Sequence, residues 1–566
     1  MSKTPALKGV VATASRGLPA GDPRRQLCCA IRMTPTREPL AQPGGRVRQA
    51  LVRLGGAVLA AVLLKWLCLE ACRIPSPSMQ PMLLGCEEAG VYDHVLVDKP
   101  HYVLAEPRRW ELAAFKPPLQ QRDAFVKRVV GMPGERINIG GGNVHVVLGE
   151  GSSERFVPLR RPEALQAVHW KDVHPARALA RGEPTGLGHT LRGEPETAWH
   201  ERDGGAVATL APDRTARLLW VDADGGLVDR IWDGCPLDVA RALRAVHAPR
   251  SDRAEIVVDA RVAATLAATT APARVALAID VCRPSQAKLR FSCEWQRDEV
   301  RLVVRRDGAV VAAGAPVAFA WPSVAFTLAF AHLDDELILW CDDRELARFD
   351  TTAFACRDGC ELPDTCGMGP AMPCAEQHAG VVLEGEGAGK LAVRDMRIWR
   401  DQQWTRGPLP ANAVLTVPAG HYLLLGDNPL QSEDGRGWRS FRIGELDGAA
   451  VPPDTPGALV IVGSLQPGSP DRPPSRDENP VAIPAPGLLV VRDVLGDLHV
   501  LRGEFALADN GNLAIVRTRD TAGRPFEWEL AGPDVNFVPR AAFAGKVIAR
   551  YWPLPPFGPL RAGWLR

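Results

Sequence analysis

Between Val275 and Trp295 the apolar residues fall on every second position. Val275, Leu277, Ile279 and Val281 form one run; Leu289, Phe291, Cys293 and Trp295 form another, alternating with Arg290, Ser292 and Glu294. Side chains two apart share one face of a strand, so each run is a strand with one face toward a core and one toward water. Turns punctuate the pattern. Asp307-Gly308 separates Leu302–Val304 from Val310-Val311, and Asp342-Asp343 separates Leu337–Trp340 from Leu346–Phe349. Short alternating strands joined by such turns predict a β-sandwich. With only 4 Tyr but 15 Trp, 53 Gly and 50 Pro, the chain suits turn-rich β-structure. Its 566 residues predict two to four domains. A net charge of +1 gives no reason to expect a nucleic-acid partner.

The N-terminal end reads differently. Residues 1–49 carry scattered Pro, Gly and Arg without a sustained apolar period, which predicts a disordered basic tail. Met33 is an alternative start to Met1. Leu51 to Cys72 then forms the membrane candidate: Leu54–Leu64 is apolar without a break, Lys65 interrupts, and Trp66–Leu69 resumes. This predicts a single membrane helix over 50–72, with the basic tail in the cytoplasm and the rest of the chain on the outer face. A cleaved signal peptide and a buried core helix are the competing readings.

Directly behind the apolar run stands Ser76-Pro77-Ser78-Met79-Gln80-Pro81-Met82-Leu83. About fifty residues later comes Phe125-Val126-Lys127-Arg128-Val129-Val130-Gly131-Met132-Pro133-Gly134-Glu135. A serine hydroxyl is a poor nucleophile until a base takes its proton. A lysine serves as that base only when neutral, and burial among apolar groups favours the neutral amine. In an extended strand Phe125, Lys127 and Val129 share one face, which would hold the amine against hydrocarbon.

These two stretches resemble the serine and lysine boxes of bacterial type I signal peptidases, the membrane-anchored Ser/Lys proteases that remove signal peptides. Met82 stands where that family usually has Thr. A third stretch, Gly426-Asp427-Asn428-Pro429-Leu430-Gln431-Ser432-Glu433-Asp434-Gly435-Arg436, resembles the family's Gly-Asp-Asn box. Here Gly435 replaces a serine. Phe537-Val538-Pro539 through Tyr551-Trp552-Pro553 is similar to the family's last strand. The resemblance implies Ser78 as nucleophile and Lys127 as general base. It implies that Ser76 and the Ser78 N–H hold the oxyanion, that Ser432 hydrogen-bonds the lysine, and that Asp434 pairs with Arg436. Asp427 and Asn428 would support the site. Ile74, Met79, Leu83 and Val126 would shape pockets for small side chains before the cut. The substrates would be preprotein signal peptides at a lipid bilayer, with neither metal nor cofactor.

The expected fold is all-β: a signal-peptidase-type antiparallel catalytic core, one N-terminal membrane helix and an inserted β-sandwich. The core would comprise residues 73–150, 406–440 and 534–566. Residues 151–204 would be a connector, 205–405 the sandwich, and 441–533 a second insertion with a Pro-rich linker at Pro467–Pro486. Leu391–Asp401 resembles the last strand of laminin-G/concanavalin-like jelly rolls, implying a surface for a carbohydrate or protein ligand. Cys356, Cys360, Cys366 and Cys374 lack tight Cys-x-x-Cys pairs, which favours a disulfide-tied loop over zinc; the odd total of 13 leaves a thiol outside any intrachain pair. Two other readings stay open. One is a self-cleaving repressor sharing the Ser/Lys dyad, although no DNA-reading helix pair is evident. The other is a membrane-anchored binding protein with an inactive protease core.

Overall fold

The computed structural model describes residues 43–247, 255–282, 287–352, 378–410, 412–464, 481–485, 487–507, 513–519, 525–529, 535–553 and 563–565. The tail before Pro43, the Cys356–Cys374 cluster and most of Pro467–Pro486 lie outside them. Two compact units divide between Val62 and Leu63. A 25-residue helix, Pro43–Leu67, starts inside the stretch expected to be unstructured and stops short of Cys72. It stops because Leu69–Arg73 leaves as a strand, paired antiparallel with His94–Asp98. The helix exposes Leu51, Val52, Leu54, Val58, Leu59 and Val62. Among the described residues, however, no helix is long and apolar enough to cross a membrane. Arg46, Arg48, Arg53 and Lys65 all fall within this one.

One eight-stranded sheet carries the serine- and lysine-box region. Its order is Leu69–Arg73, His94–Asp98, Phe543–Trp552, Leu112–Phe115, Phe125–Gly131, His421–Leu425 and Val538–Pro539, with Gly563–Trp564 added to Phe543–Trp552. Strands far apart in sequence are thus neighbours. The strand after Phe125–Gly131, Arg136–Gly140, turns back into Asn143–Leu148 through Gly141 (φ 64°) and Gly142 (φ 95°). Both central residues of that two-residue turn are left-handed, which glycine adopts without strain.

Two further eight-stranded sheets form the sandwich. The predicted alternation is realised: Val275, Leu277, Ile279, Val281, Leu289, Phe291, Cys293 and Trp295 all enter one buried apolar cluster with Val262, Leu266, Leu328 and Phe330 of the opposing sheet. The alternate positions make cross-strand ion pairs. Arg290 Nε lies 2.6 Å from Asp280 Oδ1, and Arg305 Nε 2.9 Å from Glu294 Oε1. Asp307 and Asp342-Asp343 take positive φ in their hairpin turns, as short polar residues tolerate.

The sandwich begins earlier than residue 205. Lys171–His174 and Trp199–Arg202 join one sheet, and Leu191–Glu194 joins the other, so residues 151–204 are structured rather than a connector. Polar composition hid these strands: Lys171–His174 pairs with the distant Gly389–Arg400, while Leu191–Glu194 and Trp199–Arg202 pair with the nearer Ala216–Trp220 and Gly205–Leu210. The second insertion builds a six-stranded sheet, and Val481–Ala485, expected in an extended linker, is one of its strands. Among the described cysteines Cys282 is disulfide-bonded, whereas Cys68, Cys72, Cys293 and Cys341 are free thiols.

Ile279 is fully buried between the two sheets. Ile279→Ala should cost about 2–5 kcal/mol of stability, read as a lowered denaturation midpoint of the sandwich transition.

Candidate functional site

Ser78 sits in a single 3₁₀ turn, Pro77–Met79, entered from Ser76 in extended conformation (φ −106°, ψ 154°). Pro77 supplies the fixed φ of a first helical position. Met79 and Leu83 anchor the turn in an apolar cluster with Ile74, Val95, Val97, Leu112 and Val547, and Val126 packs against its edge. All four residues assigned to the substrate pocket therefore gather in one place. Ser78 is buried, and its Oγ lies 3.2 Å from that of the exposed Ser76.

Lys127 lies in the strand Phe125–Gly131, opposite Ala113 in the register. Its face-mates Phe125 and Val129 pack with Phe115, Leu424 and Trp438, and the ammonium is 5.9 Å from the Phe125 ring centroid. Burial pushes the Lys127 amine down to about 8; Asp434 and Glu433 oppose that shift and Arg436 adds to it. Half the lysine population is thus neutral near pH 8 rather than above pH 10.

Alternation sends the next side chain, Arg128, to the opposite face. It is fully buried, so it requires a fixed counter-charge. Asp427 supplies one through two bonds, Nε to Oδ1 at 2.7 Å and Nη2 to Oδ2 at 2.6 Å, while Nη1 donates to Trp110 O at 2.6 Å. Burial would raise the Asp427 pKa, but the Arg128 guanidinium outweighs it and holds the carboxyl below its ordinary range.

The box that follows closes on the serine turn. Asn428 donates from its backbone N–H to Ser78 O and from Nδ2 to Pro77 O, each at 3.1 Å. Gly426 is required here. A Cβ at this position would lie 2.6 Å from Ser78 O and collide with the Ser432 hydroxyl. Asp434 accepts from Gly426 N at 3.0 Å, from Ser432 Oγ at 2.7 Å and from Arg436 Nε at 2.7 Å. Burial opposes its ionisation, yet Arg436 and these bonds keep it ionised.

One expected contact is corrected. Neither Ser432 nor Ser78 is hydrogen-bonded to Lys127 in this structure; the Ser432 hydroxyl donates to Asp434 instead. A carboxylate is the stronger acceptor, because the bond is charge-assisted. Ser432 keeps its lone pairs for an amine donor. The box thus brings together Ser78, Ser432, Asp434 and Arg436, and Lys127 lies within the field of the last two. The sequence reading did not foresee Arg128 as the partner of Asp427. The available signal was a second charge beside Lys127 in an otherwise apolar strand. A cavity of about 490 Å³ lies elsewhere, lined by Asp172, His174, Arg177, Trp232, Asp233 and Arg397, and none of the residues above lines it.

Arg128→Met should leave Asp427 as an unpaired buried charge and cost about 3–5 kcal/mol. The Arg128→Met/Asp427→Asn double variant should recover part of that loss in chemical denaturation.

Comparison with known proteins points the same way. Residues 47–171 match the family model described as "Signal peptidase, peptidase S26", a span that includes Ser78 and Lys127. The chain is 33% identical over 134 residues to signal peptidase I of Leptolyngbya laminosa, covering 22% of this chain and 63% of that one. It is 36% identical over 95 residues to the probable signal peptidase I-2 of Synechocystis sp., covering 16% and 41%. The chain thus spans less than two thirds of the length of these relatives. Among solved structures, the carbohydrate binding module CBM66 from Bacillus subtilis aligns with 36% of this chain and 90% of its own, at 9% identity and a TM-score of 0.21. The chain resembles a type I signal peptidase that carries a large β-sandwich insertion.

Proposed function

We propose that this chain is a membrane-attached serine endopeptidase that cleaves signal peptides from exported preproteins with a Ser78/Lys127 dyad. The observation that carries the reading is the buried lysine. An amine at about 8 is a base matched to mildly alkaline working pH. It lies beside the Asp434–Arg436 pair, and the box that holds this pair also grips the serine turn. The family match over residues 47–171 supports the same assignment.

In this mechanism the Ser78 Oγ attacks the scissile carbonyl carbon while the neutral Lys127 takes the hydroxyl proton. The carbonyl oxygen becomes an oxyanion, held by the Ser78 backbone N–H and the Ser76 hydroxyl. Collapse breaks the C–N bond, and the Lys127 ammonium returns its proton to the leaving amine. Lys127 then takes a proton from water, which attacks the acyl-enzyme ester. Ser78 recovers its proton as the signal peptide's new carboxylate leaves. Substrate would bind extended, adding a strand to a sheet edge. The cluster of Ile74, Met79, Leu83 and Val126 would accept small side chains such as alanine.

Membrane attachment rests on the helix Pro43–Leu67. Its Leu51, Val52, Leu54, Val58, Leu59 and Val62 side chains are exposed, as apolar groups at a lipid contact are in the protein alone. The disulfide at Cys282 suits an oxidising compartment, which supports a body on the outer face. The competing reading, an inactive core, is separated from this one by the cleavage assay.

Ser78→Ala and Lys127→Ala should each abolish preprotein cleavage by the detergent-solubilised full chain, with folding intact by circular dichroism. Near-normal turnover by either would refute the dyad. Ser76→Ala should cost roughly a hundred-fold in kcat, as for one oxyanion donor. The sign of the pH effect is fixed: a base with a lowered pKa is protonated and idle below about 8, so kcat should rise through pH 8 and level off above it. A rate flat from pH 6 to 10 would exclude a lysine base. Protease added to spheroplasts should digest the body, whereas full protection would place it on the inner face.

A further inference from the structure

The strand that closes the sandwich, Gly389–Arg400, runs directly into a segment whose residues Asp401 to Thr405 are all buried. The sandwich holds the start of this segment: the Asp401 N–H donates to Asp259 O at 2.8 Å. Gln166 Nε2 donates to the Asp401 carboxylate at 2.6 Å, and Arg161 pairs with it as well.

The rest of the segment reaches the Gly-Asp-Asn box. Gln402 Nε2 donates to Asp427 O. Trp404 Nε1 donates to Gly426 O at 3.2 Å, and its N–H donates to Gly142 O at 2.8 Å. Thr405 O accepts from Arg436 Nη1 at 2.6 Å. The Trp404 ring is stacked on Trp110, with centroids 5.6 Å apart and planes 14° from parallel. Trp110 O in turn accepts from Arg128. Within five residues, one segment fixes two carbonyls of the box, the guanidinium that braces Asp434, and the tryptophan that anchors Arg128.

We propose that Gln402 and Trp404 are positioning residues for peptide-bond cleavage, delivered to the site by the last strand of the sandwich. They hold the carbonyls of Gly426 and Asp427, and Asn428, next in the chain, holds the carbonyls of Pro77 and Ser78. A shift of the box therefore moves the serine turn relative to the lysine strand. This rests on the Ser78/Lys127 reading above. The segment that follows the last strand of the sandwich then supports the catalytic apparatus. Misplacing reacting groups by about 1 Å can cost a hundred-fold in rate, so loss of one of several restraints should cost less.

The test uses full-length protein in detergent and a preprotein substrate. Trp404→Phe keeps a ring to stack on Trp110 but removes the indole N–H. Trp295→Phe is the control: it removes an equivalent indole bond, Trp295 Nε1 to Phe319 O at 2.7 Å, inside the sandwich. Trp404→Phe should lower kcat about ten-fold with KM unchanged, whereas Trp295→Phe should leave both unchanged at a comparable loss of stability. Gln402→Leu should repeat the kcat-only loss, and it decides the matter if Trp404→Phe fails to fold. Unaltered kcat in the folded variants, or losses that Trp295→Phe shares, overturns the inference. Ser78→Ala is run alongside. If it still cleaves, the dyad reading has failed and the inference falls with it; if it is dead while Trp404→Phe and Gln402→Leu are normal, only the inference has failed.

Discussion

The buried ion pair between Arg128 and Asp427 is the interaction on which the site depends. The two residues are 299 positions apart in sequence. Each would be very costly to bury alone, so neither strand can settle in its place without the other. Because Lys127 precedes Arg128, docking the guanidinium also fixes the depth of the amine. Because Asn428 follows Asp427, docking the carboxylate also sets the box against the serine turn. Two adjacent charges on opposite faces of one strand thus divide the labour: one is fixed in its charged form by a partner, the other loses charge through burial.

The same logic explains the state of the third box. Asp434 accepts from the backbone of Gly426, from Ser432 and from Arg436, and it is the largest of the charges that favour the protonated Lys127. Asp434 raises the lysine pKa and Arg436 lowers it. Glu433 and Asp427 raise it as well, and desolvation by burial outweighs these carboxylates.

What the sequence revealed followed range. The alternation at Val275–Val281 and Leu289–Trp295 is a local signal, and every one of those residues is buried. The hairpins at Asp307-Gly308 and Asp342-Asp343 were legible for the same reason. The boxes were legible because their residues lie within a few positions of one another. Lys171–His174 was not, since its place in a sheet is set by Gly389–Arg400 and not by its own polar composition. The Ser432 contact was misassigned because two acceptors compete for one hydroxyl proton, and spacing cannot rank them. Gln402 and Trp404 carry no local pattern at all. Their roles appear only when residues 401–405 are seen against 426–436.

The eight-stranded sheet has a consequence in time. Phe543–Trp552 lies between His94–Asp98 and Leu112–Phe115, so these two strands wait for one made more than four hundred residues later. At roughly 5–20 residues per second of synthesis, that wait is on the order of tens of seconds. Until then the early strands present unpaired edges, and the nascent chain needs protection from aggregation.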